Sequence, residues 1–412
     1  MLTYYEALEK IIGHSQTLPK VERKLEEMLG YVLAEPVVAK FPMPQFDNSA
    51  VDGFGVLLRD VENASENSPV SLSLLGEVQA GAARTHTIAS GQAVKILTGA
   101  TVPSSVEAVV MREYCEENKG RIVVKIHAEP GENIRRKGGE YPAGTEVLSA
   151  GMSVTPPVVG LLASLGFRSF AVYDKPRVAI IATGDELVPP GEPLQPGQIY
   201  NSNSFALRAA LQAFGIEPTD VLHALDSAES TRAAFEKAIK NADVVISTGG
   251  VSVGDYDYVK DVLESLGVQT VFWRIAVKPG KPVYFGIVHA SASSNQKLVF
   301  GLPGNPVSGL VTYHQFVLPA LRKLSGCPAV EPKPATAVLG SKLRKKPGRL
   351  DFIRGQVRYL DDGSLTVEPT VGQDSHMISG LAKADSLIHF AADAESIEAG
   401  SKVLVDLLQW WS

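Results

Sequence analysis

The sequence predicts a multidomain α/β protein built around a doubly wound, mainly parallel sheet, with helical and β segments on either side. Three observations carry this. The apolar runs VAIIA (178–182), VVIS (244–247) and LVF (298–300) read as strands buried on both faces. Segments of helical periodicity separate them, as a crossover between parallel strands requires. Each run ends in glycines, and in one case acids: TGDE (183–186), TGG (248–250) and GLPGN (301–305). Ligands of such sheets bind outside the carboxyl ends of the strands.

The elements follow in order. Thr3 with Glu6 fits a capping box, followed by Leu8, Ile11 and Ile12 at helical spacing. A second helix is predicted over 20–29, with Glu22, Arg23, Lys24, Glu26 and Glu27 on its solvated side. Pro36, Pro42 and Pro44 then forbid regular helix and lead to the loop FDNSAVDGFG (46–55). From about 72 to 147 the pattern becomes short strands, VKIL (94–97), AVVM (108–111) and RIVVK (121–125), and a helix is predicted at 156–165. This reads as a small β domain inserted into a helical one. Beyond the first apolar run come a helix (204–214), a strand near Val221, a helix (230–240), a helix (256–266), a strand (270–273) and a long helix (306–324). After Cys327, Pro332 and Pro334 short strands return, with a hairpin turn at DDG (361–363), predicting a small C-terminal β-barrel or sandwich.

Composition sets the function classes. The chain has 412 residues, 45% hydrophobic and 20% charged, with 39 Lys+Arg against 45 Asp+Glu and a formal net charge of -6. That balance argues against a general nucleic-acid binder, so an anion site must be local. Two cysteines build no disulfide framework and form no zinc-type CxxC pair. With neither a signal peptide nor a bilayer-spanning run in sight, a cytoplasmic protein without membrane attachment is expected.

Several motifs carry chemistry. Asp47, Asp52, Asp185, Glu186, Asp226, Asp255 and Asp257 fall in predicted loops or at strand ends, where carboxylates suit a hard cation such as Mg²⁺ bridging to phosphate. Asp226 also reads as a helix cap. In TGGVSVG (248–254), Gly249 and Gly250 let backbone N–H groups converge on an anion, with Ser252 beside them. The same stretch fits the G-x-S-x-G nucleophile elbow, with His289, His314, His376 and His389 downstream, although its paired glycines and the delayed helix argue against a sharp elbow. KPGKP (278–282) holds Lys278 and Lys281 on a proline-stiffened loop suited to an oxyanion. NIRRKG (133–138), Arg349 in PGRLDF and Ser375 in QDSH are weaker signals. No Walker A, G-x-G-x-x-G or H-E-x-x-H occurs.

Taken together, FDNSAVDGFG, ILTGA, NIRRKG, TGDEL, STGGVSVGDYDY, KPGKP, GLPGNPVS and PGRLDFIRG, in that order, resemble the molybdopterin molybdenumtransferase family, the MoeA type to which the gephyrin E domain belongs. The resemblance covers nearly the whole chain. It implies an elongated N-terminal helical domain (1–43 with 146–174), an inserted β domain (44–145), an α/β molybdopterin-binding domain (175–327) and a C-terminal β-barrel domain (328–412). It implies a homodimer with its active site in a cleft between subunits, working with other cofactor-assembly proteins. The implied reaction inserts molybdate into adenylylated molybdopterin with Mg²⁺ and releases AMP.

By motif position the resemblance marks Asp52, Thr98, Glu186, Asp226, Lys278 and Lys281 as catalytic. Gly249, Gly250, Ser252, Lys278, Lys281, Pro282, Arg349 and Ser375 fall on the substrate and molybdate side, and Glu186 with Asp257 on the metal side. Two positions depart from the family. Glu140 stands where an aspartate is frequent, and Arg274 where some members carry lysine. Two other classes compete, an adenylyltransferase of molybdopterin and a gephyrin-like binding scaffold. The first lacks the FDNSAVDG loop and the tail motifs; the second has no need of Asp52, Lys278 or Arg349.

Overall fold

The computed structural model describes residues 1–81, 86–250, 258–290 and 295–408. The chain divides into two compact units, one comprising Met1–Glu35, Ala150–Gly160 and Phe167–Ser412, the other Pro36–Ser149 and Leu161–Gly166.

The centre of the larger unit is a six-stranded sheet in the order Asp220–Ala224, Val178–Thr183, Val244–Thr248, Lys297–Leu302, Tyr284–Val288, Gln269–Trp273. The first four are mutually parallel, and Tyr284–Val288 runs antiparallel to both its neighbours. Side chains alternate between faces with period two. Val178, Ile180, Val244, Ile246, Leu298 and Phe300 join one core with Leu207 and Leu211 of the helix Ser202–Ala213. Ala179, Ile181, Val245 and Val299 join another with Phe235 and Ala238 of the helix Ala228–Asn241. Helices therefore cover both faces, as the doubly wound prediction requires. At roughly 1.5–3 kcal/mol for each large side chain taken from water, this two-sided burial dominates local preferences.

The antiparallel strand Tyr284–Val288 is absent from the sequence reading, because its neighbour KPGKP looks like a surface turn. The opening helix Tyr4–His14 is as predicted, with both hydrogen bonds of the Thr3–Glu6 capping box present. Its Tyr4, Leu8 and Ile11 pack into the sheet's first core.

The helix predicted over 20–29 is not formed. Lys20–Lys24 is a strand, paired residue for residue with Ser169–Tyr173 and followed by a 3₁₀ turn, Leu25–Glu27. Lys, Glu and Arg favour helix by only a few tenths of a kcal/mol each, which a five-residue ladder outweighs. The long predicted helix is present as Pro306–Thr312, a π segment Tyr313–Val317, and Leu318–Leu324. Pro319 explains the π segment, since its ring has no N–H for the Gln315 carbonyl and would crowd it.

The C-terminal strands form a closed barrel, which decides between barrel and sandwich. Leu350–Tyr359 pairs with Ser386–Phe390 through its first half and with Leu365–Pro369 through its second. Ala335–Leu339 and Lys402–Leu407 complete the ring. Gly355 sits where the long strand changes partner, and a Cβ there would lie 2.7 Å from a Val367 methyl. The first helix, the π segment and the barrel meet at buried polar groups. Tyr4 Oη donates to Gln315 (2.9 Å), Gln315 Nε2 donates to Asp406 (2.7 Å), and His389 Nε2 lies 2.7 Å from the same carboxylate.

The smaller unit is a curled six-stranded sheet in the order Ala108–Met111, Gly53–Val56, Gln92–Ile96, Val70–Val78, Arg121–Val124, Cys115–Asn118. Alternate residues feed two apolar clusters, with Phe54, Val56, Ala108 and Val110 in one and Val94, Ile96 and Val109 in the other. No helix among the described residues is long and apolar enough to cross a membrane.

Candidate active-site cleft

In the larger unit four parallel strands end on one edge, and the loops that leave them line a cleft of ≈ 740 Å³. Val178–Thr183 delivers Gly184 and Glu186, and Asp220–Ala224 delivers Asp226. Val244–Thr248 delivers Gly249 and Gly250, and Lys297–Leu302 delivers Gly304 and Asn305. Pro282 of the KPGKP loop and His376 of the tail also line it. The edge lies at the switch point, since the helix after Val178–Thr183 covers one face and the helix before Val244–Thr248 the other.

The glycines are there for close approach. Gly249 has φ +87, and a Cβ on it would lie 2.6 Å from Thr183 Oγ1 and 2.8 Å from its carbonyl oxygen. That leaves the backbone of the loop, rather than side chains, facing the cleft. Asp185 and Asp226 tie the first two loops together. The Asp226 N–H donates to Asp185 Oδ1 (2.9 Å) and the Asp185 N–H to Asp226 Oδ2 (3.4 Å). The helix cap expected of Asp226 belongs instead to Ser227, which accepts from the Ser230 N–H. Asn203 bridges two more walls, donating to Thr248 Oγ1 (2.8 Å) and the Gly304 carbonyl (2.6 Å).

Glu186, Asp226, Gly249, Gly250 and Pro282 are thus brought together as the sequence suggested. Ser252 and Asp257 lie outside the described residues. Asn201, Asn203 and His376 are cleft residues that the sequence reading does not name as such, while Asn305 comes with the GLPGN loop. The Asn-Ser-Asn run before a helix was an available signal for the first two, whereas nothing in the sequence links His376 to the sheet edge.

Lys278 and Lys281 are exposed on the loop that ends at Pro282. Lys278 pairs in parallel with Asp351 at the start of the long barrel strand, so the two-lysine loop is anchored to the barrel. The Lys281 carbonyl accepts from the Ile275 and Val283 amides, leaving its ammonium free of any backbone duty. Arg349 lies one residue before that barrel strand. The Ser375 carbonyl accepts from the Val307 amide, which fixes the tail loop at the start of the long helix (3.2 Å). Arg274 holds a left-handed backbone, φ +79, and its amide donates to the Val283 carbonyl.

The smaller unit holds the other two predicted positions. Asp52 precedes the strand Gly53–Val56, and Thr98 follows the paired strand Gln92–Ile96, with Gly53 opposite Ile96. This register sets the two side by side, and Asp52 Oδ1 accepts from both the Thr98 amide and hydroxyl at 2.7 Å. The two donors hold the Asp52 carboxyl below the ordinary carboxylate range. Gly53 permits the packing, since a Cβ there would lie 2.2 Å from the Val110 carbonyl oxygen. The basic run is structural in part, because Arg136 and the Lys137 amide both bind Asp47 (2.7 and 2.8 Å). Glu140 is exposed in the loop that follows.

With the geometry in place, the similarity to known proteins is decisive. The chain matches the MoeA N-terminal region (domain I and II) over residues 2–166, the probable molybdopterin binding domain over 179–323 and the MoeA C-terminal region (domain IV) over 336–408. It is 37% identical over 409 residues to the molybdopterin molybdenumtransferase of Haemophilus influenzae, covering 98% of each chain.

The chain belongs to the molybdopterin molybdenumtransferase family.

A second family member, the molybdopterin molybdenumtransferase of Nostoc, is 38% identical over 378 residues, 91% of this chain and 86% of that one. The crystal structure of the molybdopterin biosynthesis MoeA protein from Pyrococcus horikosii superposes with a TM-score of 0.79 at 32% identity, covering 100% of both chains. Membership favours the transferase reading over the adenylyltransferase and scaffold alternatives. The hydrolase reading also finds three of its four histidines engaged elsewhere, with only His376 lining the cleft. His389 holds Asp406, His289 pairs with Gln269, and His314 is buried.

Among the described residues no group of three or more His, Cys, Asp or Glu side chains gathers as a metal cage. Glu186 and Asp226 in one cleft do fit an ion that takes one or two carboxylates and completes its shell with water and substrate phosphate, as Mg²⁺ does.

Proposed function

We propose that this chain inserts molybdate into adenylylated molybdopterin, releasing AMP and water. The observation that carries the reading is the meeting of Glu186, Asp226, Gly249 and Gly250 in one cleft at the sheet's carboxyl edge, in a chain whose relatives carry that activity in their names. The two dithiolene thiols of the substrate replace two oxygens of molybdate, which leave as water, and one water cleaves the phosphoanhydride to release AMP.

In this reading the Gly249–Gly250 turn seats the phosphate end of the substrate through the Gly250 N–H, since the Gly249 N–H donates to the Leu302 carbonyl (3.2 Å). Glu186 and Asp226 would hold Mg²⁺, with Asp257 as a further ligand, and the ion would offset pyrophosphate charge. Lys278, Lys281 and Arg349 supply cations for the dianionic molybdate and the substrate phosphates, with Ser252 and Ser375 as hydroxyl donors. Asp52, ionised and held by Thr98, serves as an acidic group of the reaction. None of these roles needs a general base of tuned pKa, because positioning and charge neutralisation supply the catalysis. The working form is a homodimer in the cytoplasm, receiving its adenylylated substrate from other cofactor-assembly proteins.

The test is anaerobic incubation of the purified chain with adenylylated molybdopterin, Mg²⁺ and micromolar molybdate. AMP release that requires molybdate and yields active cofactor is expected. A folded protein that releases no AMP would overturn the reading.

A further inference from the structure

Lys278 and Arg349, assigned above to the substrate anions, each touch a charged side chain that the reaction does not use, Asp351 beside the Lys278 ammonium and Lys345 at the Arg349 carbonyl. Asp351 is buried at the start of the barrel strand Leu350–Tyr359, opposite Lys278 on one side and Phe390 on the other. Its two oxygens face different cations. Oδ2 lies 3.8 Å from Lys278 Nζ, and Oδ1 lies 3.6 Å from Lys345 Nζ. The two ammonium groups differ in setting. The Lys345 side chain is 5% exposed, like that of Asp351, while Lys278 is 57% exposed. Lys345 also donates to the Arg349 carbonyl and stands 5.0 Å from the Phe390 ring centroid.

A buried carboxylate needs a counter-charge. With Lys278 as its partner alone, Asp351 would draw that ammonium inward and cancel the charge offered to a substrate. Lys345 meets the need from inside the fold. The trio of two ammonium groups and one carboxylate then keeps one positive charge, which resides on the exposed member. The same ammonium pins the peptide that carries Arg349.

We infer that Lys345 is a positioning residue of the reaction, neutralising Asp351 so that Lys278 remains available to an oxyanion such as molybdate. The inference rests on the proposed function and on the role of Lys278 in it. It makes an unusual demand, since removing the acid should improve the site. Asp351→Asn, which keeps the shape of the side chain, frees Lys278 and leaves a second cation behind it.

The experiment measures KM for molybdate and kcat from AMP release by the full chain. Lys345→Met should raise KM about tenfold, the scale of one charge-assisted contact, with a much smaller change in kcat. Asp351→Asn should lower KM below the wild-type value, and Lys345→Met/Asp351→Asn should return close to wild type. Lys345→Arg should retain most of the wild-type behaviour. A purely structural Lys345 predicts the reverse order, with the double variant the worst. An Asp351→Asn enzyme whose KM is unchanged or raised overturns the inference, and that variant decides the matter if Lys345→Met does not fold. Two results would overturn what lies beneath it. A Lys278→Gln variant with unchanged KM removes the role of Lys278, and a wild-type chain without molybdate-dependent AMP release removes the proposed function itself.

Discussion

Asp52 shows how much one residue's setting can say. Its carboxylate is exposed, so it contributes little to packing, yet two donors from Thr98 keep it ionised and aimed. Asp52→Asn retains an oxygen for the Thr98 amide while losing the charge. AMP release should fall roughly a hundredfold with an unchanged melting temperature, a loss on the scale of one electrostatic group in an active site. Full activity in a folded Asp52→Asn enzyme would remove it from the site. Lys281→Ala should be as damaging at equal stability, because the fold uses its backbone carbonyl and not its ammonium. The cysteines call for the opposite expectation. Burial pushes the Cys115 thiol up to about 12 and raises Cys327 as well. Both should resist iodoacetamide at pH 8 until the protein is unfolded, and rapid alkylation of native protein would contradict the burial.

Elements explain why residues far apart in sequence arrive together. The Gly53–Ile96 register carries Asp52 to Thr98, and the parallel register of four strands carries Glu186, Asp226, Gly249 and Asn305 to one edge. The turn at Gly249 is the most demanding point. Gly249→Ala would place a Cβ in the left-handed region and against Thr183, so we expect a loss of about 1–3 kcal/mol and a collapse of activity beyond it. Urea denaturation paired with the AMP assay checks both, and a variant matching wild type in each would show that the loop can be rebuilt. Thr3→Ala, which removes a reciprocal cap on an amphipathic helix, should cost about 1 kcal/mol and leave kcat unchanged. Elements were also where the sequence reading slipped. Lys20–Lys24 has helix-favouring residues, but it alternates in exposure as a strand because its partner, Ser169–Tyr173, lies far along the chain and outside its own composition.

The whole molecule responds to acid through groups that share one sign. Burial pulls the His314 imidazole well below its ordinary value of 6.5. The unfolded chain therefore binds this proton first, and stability declines as pH falls below 6.5. Asp47 is held below the usual carboxylate range by the Lys137 amide and then by Arg136, so its contribution is present above the unfolded value of 3.8 and disappears as pH falls through its folded one. Melting temperatures should decline in two stages, beginning near pH 6.5 and steepening below pH 4. A flat profile between pH 7 and 5 would refute the role of His314, and His314→Gln should flatten that range alone. The buried cluster of Tyr4, Gln315, Asp406 and His389 joins the first helix, the π segment and the barrel.

Local chemistry by itself determined the apolar runs, the capping box, the glycine-ended strands and hence the doubly wound sheet with ligand-binding loops at its edge. Those features follow from periodicity and backbone sterics, which act over a few residues. The ordered motifs added the family and named Glu186, Asp226, Gly249 and Pro282 as members of one site. Tertiary structure decided what depends on partners distant in the chain. It closed the tail into a barrel, turned Tyr284–Val288 antiparallel, drew Asn203 and His376 to the cleft, and placed Lys345 behind Lys278. A strand's partner and a buried charge's counter-ion are set by the packing of the whole chain, so no window of sequence contains them.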